Sequence, residues 1–123
     1  MLVALLFYYL FGSGNQGLVM DVAKPVKAQV QDEAKAKQII ELNKAMLKAE
    51  AELGKQQKEA GKELAKLNKD RQASEAAFLA IHAALEKQRS DTRKQIVGGR
   101  FKMKEQMTAA QWQAVYAPTE PPN

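Results

Sequence analysis

Residues 68–74 read Asn-Lys-Asp-Arg-Gln-Ala-Ser, a polar break between two long helix-forming segments. Mostly apolar residues, the majority spaced three or four apart, lie on both sides of this break, which puts each set on one stripe of a helix. Before the break they are Leu42, Met46, Ala49, Leu53, Ala60, Leu64 and Leu67, and after it Phe78, Ile81, Leu85, Gln88, Thr92 and Ile96. Ser74 is a suitable N-cap, so we predict that the chain reverses here into a long antiparallel helical hairpin.

The first arm of this hairpin is predicted as one helix over residues 26–67. Asp21 is positioned to cap it, and Pro25 is tolerated in a first turn because its missing N–H has no partner to lose. Gly54 and Gly61 interrupt the pattern, and each costs about 1 kcal/mol relative to alanine inside a helix. They indicate a weak point, a close approach to another helix, or an early end of the arm.

The second arm is predicted over residues 74–97. Gly98 and Gly99 follow it and predict a bend or a helix C-cap, because glycine is the residue most often found just beyond a helix C-terminus. Residues 100–107 are then expected to form a separate short helical piece.

A last helix is predicted to begin at Thr108 and to end before Pro118. Thr108 and Gln111 have the spacing of a capping box, in which each side chain bonds the backbone amide of the other residue. The proline-rich stretch 117–123 is predicted to be a disordered tail. The folded hairpin domain is therefore expected over residues 21–116.

The first twenty residues differ from the rest of the chain. Residues 1–11 are continuously apolar, and as a helix they rise only about 16 Å, roughly half of the hydrocarbon thickness of a bilayer. We expect residues 1–20 to be a secretory signal or a short membrane anchor in contact with the membrane. The alternative is an N-terminal helix or strand that packs against a partner.

Composition favours an elongated all-helical protein. The chain has 123 residues, a net charge of +5 and no cysteine, which excludes disulfides, thiol catalysis and cysteine metal sites. Lysines are interleaved with glutamates, as is typical of solvated helix faces, so we predict no nucleic-acid partner. Because alanine supplies much of the apolar content, the core is expected to be thin and the protein to be a homodimer.

No residue pattern points to an enzyme, a cofactor or a metal. His82 is the only histidine, and no cysteine or set of carboxylates accompanies it to form a metal cage. Ser90, Asp91 and Thr92 are neighbours without a nearby histidine, and the Gly98-Gly99 pair lacks the flanking pattern of a phosphate-binding loop. We therefore predict a non-enzymatic protein without cofactor-binding or metal-binding residues.

Aromatic residues and methionines gather in the C-terminal third, at Phe101, Met103, Met107, Trp112 and Tyr116. This set is large for a thin hairpin seam. If exposed together, these adaptable apolar side chains suit the binding of an unfolded or helical client. In the alternative interpretation the short final helices fold back and cap the hairpin.

Residues 107–112, Met-Thr-Ala-Ala-Gln-Trp, resemble the Leu-Thr-x-x-Gln motif of the Spy/CpxP family of bacterial periplasmic proteins, with methionine in the leucine position. Residues 100–104, Arg-Phe-Lys-Met-Lys, are similar to the basic and apolar lead-in of that family. The resemblance implies a cradle-like helical dimer that acts as an ATP-independent chaperone or as an envelope-stress sensor. The partner-binding residues expected on this basis are Arg100, Phe101, Met103, Met107, Thr108, Gln111, Trp112 and Tyr116.

Two functions are consistent with these patterns. The first is a client-binding or partner-binding protein of the bacterial periplasm, with a chaperone-like or stress-sensing role. The second is a membrane-anchored coiled-coil spacer or adaptor of the cell envelope, comparable to a phage spanin subunit. An anchor must keep its N-terminus, whereas a soluble chaperone is expected to lose residues up to about Gly14.

Overall fold

The computed structural model describes residues 19–117, and these form four α-helices and no strand. The helices are α1 (Ala23–Gln29), α2 (Glu33–Lys69), α3 (Glu75–Glu105) and α4 (Ala109–Tyr116). The prediction of an all-helical fold is confirmed. Residues 1–18 of the predicted signal or anchor segment, and residues 118–123 of the predicted tail, lie outside the described residues. Within the described range, no helix is both long and apolar enough to cross a membrane.

The two long helices pack along each other and run in opposite directions. Met46, early in α2, lies against Gly99, late in α3. Ala60, further along α2, lines one groove together with Ala80 of α3. The residues between the helices reverse the chain, as the polar break predicts.

Local hydrogen bonds build this reversal. The Ser74 hydroxyl accepts from the backbone N–H of Ala77 at 3.2 Å and caps α3. The Asp70 carboxylate accepts from the backbone N–H of Gln72 at 2.9 Å. Such short polar side chains satisfy backbone donors that a helix end leaves without partners. The predicted cap at Ser74 is confirmed.

The first arm is not one helix, and the prediction for residues 26–67 is wrong. The chain leaves the helix at Val30 and re-enters at Asp32, whose carboxylate accepts from the backbone N–H groups of Ala34 and Lys35. This cap starts α2 and turns Val30 into the core, where it is buried. Asp21 does bond the first turn of α1, since it accepts from the backbone N–H of Ala23 at 3.1 Å.

The predicted stop at Gly98 and Gly99 is also wrong, because α3 continues to Glu105 and includes residues 100–105 of the separate piece expected at 100–107. Neither glycine has a positive φ, so neither acts as a left-handed helix cap. A Cβ atom at Gly99 would lie 2.7 Å from Cγ and 2.9 Å from Sδ of Met46. Gly99 therefore serves the close approach of α2 and α3 rather than the end of a helix.

Gly54 and Gly61 lie inside α2 without ending it. A Cβ atom at Gly61 would meet no atom within 4 Å, so this glycine marks neither a close approach nor a turn. The helix tolerates it at the usual cost of a glycine in a helix interior.

The core lies at one end of the molecule, which we call the base: α1, α4 and the adjoining halves of α2 and α3. One cluster of buried side chains fills it, namely Val19, Val22, Val26, Val30, Ala36, Ile39, Ile40, Met46, Ile96, Met103, Met107 and Val115. Beyond Leu53 and Leu85 the hairpin continues as a two-helix arm, residues 54–84, in which no side chain is buried. The molecule therefore has a thick base and a thin arm.

Candidate functional site

The last helix is held against the base by its own cap. The Thr108 hydroxyl accepts from the backbone N–H of Gln111 at 3.1 Å, and the Gln111 side chain accepts from the backbone N–H of Thr108 at 2.9 Å. The predicted capping box is confirmed. The Gln111 side chain also donates to the carbonyl of Gln29 at 3.4 Å, which ties α4 to the end of α1. The capping residues therefore position α4 as well as starting it.

The aromatic and methionine set divides between the core and the surface. Met103 has no exposed surface and Met107 is 9% exposed, and both belong to the core cluster with Val115 of α4. Met103 and Met107 therefore lie inside the protein, as in the alternative interpretation in which the final helices fold back and cap the hairpin. The accessible members of the set are Phe101, Trp112 and Tyr116.

Trp112 and Tyr116 form a half-buried pair on α4. Their ring centroids are 4.5 Å apart with an angle of 41° between the planes, and both rings pack against the core cluster. Burial raises the pKa of the Tyr116 hydroxyl, and the positive charge of Arg100 partly lowers it again. Arg100 and Tyr116, two predicted site residues, thus lie close together. The hydroxyl stays neutral at physiological pH.

A groove of about 430 Å³ runs beside this pair. It is lined by Lys104, Met107, Thr108, Ala109, Trp112, Gln113, Tyr116 and Ala117. The ammonium group of Lys104 also lies 5.8 Å from the centroid of Phe101, whose side chain is 57% exposed. The groove therefore combines aromatic and methionine surface with one cation, which suits an apolar segment that carries a carboxylate.

A larger hollow of about 630 Å³ lies between α1 and the start of α2. Its lining includes charged residues of both signs, among them Lys27, Glu33, Lys37, Glu41 and Lys44, and it contains no aromatic residue. Mixed charges of this kind indicate a solvated surface. We therefore take the groove beside α4 as the candidate site.

Sequence reasoning missed two polar residues in the packed seam of α2. Asn43 is 1% exposed, and its side chain accepts from the backbone N–H of Val22 at 3.1 Å and donates to the carbonyl of Met20 at 2.8 Å. These bonds fasten residues 20–22, which precede α1, to α2. Asn43 lies four residues after Ile39 and three before Met46, a spacing that places it on the same buried face of α2.

Glu50 is the second missed residue. It is 3% exposed, and neither carboxylate oxygen makes a hydrogen bond in the described part of the chain. Burial raises the pKa of this carboxyl, and the nearby Val19 backbone partly opposes the shift. A charged carboxylate here is therefore a source of instability at neutral pH.

His82 lies exposed on the arm. Within residues 19–117, no group of three or more histidine, cysteine, aspartate or glutamate side chains is arranged to hold a metal ion. The groove beside α4 therefore remains the candidate site among the described residues.

No protein-family model, curated protein or solved structure matches this chain. The resemblance of residues 107–112 to the Spy/CpxP motif stays a prediction that rests on the motif itself. In the structure this motif forms the turn and the capping box at the start of α4.

Proposed function

We propose that this protein is a non-enzymatic partner-binding protein of the bacterial periplasm, with a chaperone-like or stress-sensing role. The observation that carries the proposal is the groove beside α4, whose lining combines the half-buried rings of Trp112 and Tyr116 with the side chain of Lys104. Aromatic side chains at a concave surface supply much of the binding energy in protein interfaces. A partner segment with apolar side chains and a carboxylate is complementary to this lining.

The experiment uses Trp112, which is the only tryptophan of the chain. We expect its fluorescence to change and saturate when reduced, carboxymethylated ribonuclease A, an unfolded client without tryptophan, is titrated into the full chain. Trp112→Ala is expected to weaken binding by about 2 kcal/mol, roughly thirtyfold in the Kd measured by calorimetry, and to reduce the suppression of client aggregation measured by light scattering.

Leu79→Ala is the matched control, because Leu79 is 59% exposed on the arm, away from the groove. It is expected to leave suppression unchanged. Circular dichroism checks that both variants keep their helices, and Lys104→Glu tests the same groove without removing an apolar side chain. Normal suppression by folded Trp112→Ala and Lys104→Glu variants would remove the groove from the binding site.

A membrane-anchored spacer is the second candidate function, and one observation favours it. Val19, which belongs to the predicted membrane segment 1–20, is buried in the base, at the end opposite the tip of the arm. Helix α2 has 37 residues and spans about 55 Å, which suits a protein that bridges distance. We also propose a homodimer, because Leu64, Leu67, Phe78 and Ile81 of the arm are only half-buried.

Cleavage of the N-terminus separates the two functions. The full chain is expressed in a bacterial host and analysed by intact mass and by fractionation. A shortened periplasmic species supports the chaperone or sensor, and a full-length species in the membrane fraction supports the spacer. A full-length cytosolic species contradicts both. Sedimentation velocity of the purified species measures whether it is a dimer.

A further inference from the structure

One face of α3 is exposed, basic and apolar at its centre. Val97 and Phe101 are four residues apart and are 48% and 57% exposed, so the two side chains share this face. Arg93, Lys94 and Lys104 are exposed and lie one turn away from one or the other of them. We call these five residues the outer patch of α3.

The outer patch points away from the rest of the molecule. Thr92, Ile96 and Met103, at the neighbouring positions of the helix, are buried and face the core. Two exposed apolar side chains on the convex side of a helix leave no concavity in which a partner segment could be enclosed. A surface of this shape suits a broad, flat partner.

The outer patch carries a net positive charge. Asp91 and Glu105 are the only carboxylates in the stretch 91–105, which also holds five lysine and arginine residues. Both carboxylates are exposed, Glu105 lies one turn after Phe101, and Asp91 also lines a groove between α2 and α3 together with Thr92. A second copy of the same patch would therefore bring like charges together, whereas an anionic surface is complementary.

We propose that the outer patch binds the surface of an anionic phospholipid bilayer. Phe101 and Val97 enter the headgroup region, while Arg93, Lys94 and Lys104 face lipid phosphates. The position of the patch supports this partner, because Ile96 and Met103, on the core-facing side of the same helix segment, share the core cluster with Val19, which belongs to the predicted membrane segment 1–20.

Lys104 belongs both to the outer patch and to the lining of the groove beside α4, so the test changes only Arg93, Lys94 and Val97, which do not line that groove. Because the chain has no cysteine, one introduced cysteine carries a single environment-sensitive fluorophore. Val97→Cys reports on the outer patch, and Leu79→Cys is the matched control, an exposed apolar position on the same helix in the arm. The labelled full chain is reconstituted in vesicles of phosphatidylcholine alone and in vesicles that also contain phosphatidylglycerol.

We expect the fluorescence emission of the probe at residue 97 to shift to the blue only in the phosphatidylglycerol vesicles, and its quenching by iodide to decrease there. Added salt is expected to reverse both effects. The probe at residue 79 is expected to stay accessible. Arg93→Gln with Lys94→Gln is expected to lower the ratio of docked to undocked patch roughly thirtyfold. Lys58→Gln with Lys66→Gln, two exposed cations of the arm, is expected to change nothing.

Three outcomes would overturn the proposal. A probe at residue 97 that stays accessible in phosphatidylglycerol vesicles excludes docking on anionic lipid. Equal shielding in both kinds of vesicle means that the patch is covered by other residues of the chain or by a second copy. Shielding by soluble polyglutamate, without shielding by lipid, assigns the patch to an acidic protein partner instead.

Discussion

Asn43→Ala is expected to destabilise the folded chain by about 2–5 kcal/mol, because the buried backbone N–H of Val22 and the part-buried carbonyl of Met20 lose their partner together. The Asn43 side chain satisfies the N–H of Val22 and the carbonyl of Met20, and the side chain itself is 1% exposed. Each unsatisfied buried group costs about 1–3 kcal/mol, and alanine also leaves a cavity in the packed seam.

Urea denaturation followed by circular dichroism measures this loss, and hydrogen exchange locates it. We expect the amide of Val22 to lose protection first, since Asn43 holds its N–H directly. Asn68→Ala is the matched control, because Asn68 is exposed at the end of α2 and the same substitution there should change stability by less than about 0.5 kcal/mol. Equal effects of the two substitutions would contradict the assigned role of Asn43.

Glu50→Leu is expected to stabilise the protein at pH 7 by about 1–3 kcal/mol, because leucine removes a buried carboxylate whose oxygens have no well-formed hydrogen bond in the described part of the chain. The effect depends on pH with a definite sign. Burial raises the pKa of Glu50 in the folded state above its ordinary value of 4.5, so between these two values the folded chain binds more protons than the unfolded chain. Stability therefore falls as the pH rises through this interval.

Urea denaturation of the wild type and of the variant over a pH series tests this sign. The advantage of Glu50→Leu should be smallest below the ordinary pKa of glutamate and reach its full size above the raised pKa of the folded state. Glu52→Leu is the control, since Glu52 is exposed on the same helix. An advantage of Glu50→Leu that grows toward acid pH would show that the carboxylate is stabilised in the fold.

The helix starts at Ser74 and Thr108 could be predicted because the interactions that make them are local. In each case the capping side chain bonds a backbone amide three residues away. The break before Asp32 is also set by a local capping bond. The helical spacing of the residues on both sides nevertheless predicts an uninterrupted helix there. Local polar side chains were thus the most reliable guide to where helices begin.

The continuation of α3 through Gly98 and Gly99 could not be read from local sequence. A glycine pair is a common stop signal, and the contact that explains Gly99 involves Met46, 53 residues earlier in the chain. Which of the aromatic and methionine residues enter the core depends equally on the fold, since Met103 is buried while Phe101, two residues earlier, is exposed.

Asn43 and Glu50 were missed for a different reason. The inward positions of α2 follow alternating steps of three and four residues, which is the heptad spacing of packed helices. They are Ala36, Ile39, Asn43, Met46, Glu50, Leu53, Gln57, Ala60, Leu64 and Leu67. A search for apolar residues alone leaves out Asn43 and Glu50 and includes Leu42 and Ala49, which are only half-buried. Counting the spacing without regard to polarity would have found both residues.

The contrast between base and arm sets how the hairpin responds to load. Residues 54–84 have no buried side chain, whereas Ile39 and Met103 in the base have no exposed surface. The free energy of local opening is therefore low near the turn and approaches that of global unfolding at the base. Pulling or twisting at residues 70–74 would separate the helix tips long before it disturbed the core. The resistance of the hairpin to deformation therefore increases from the turn to the base.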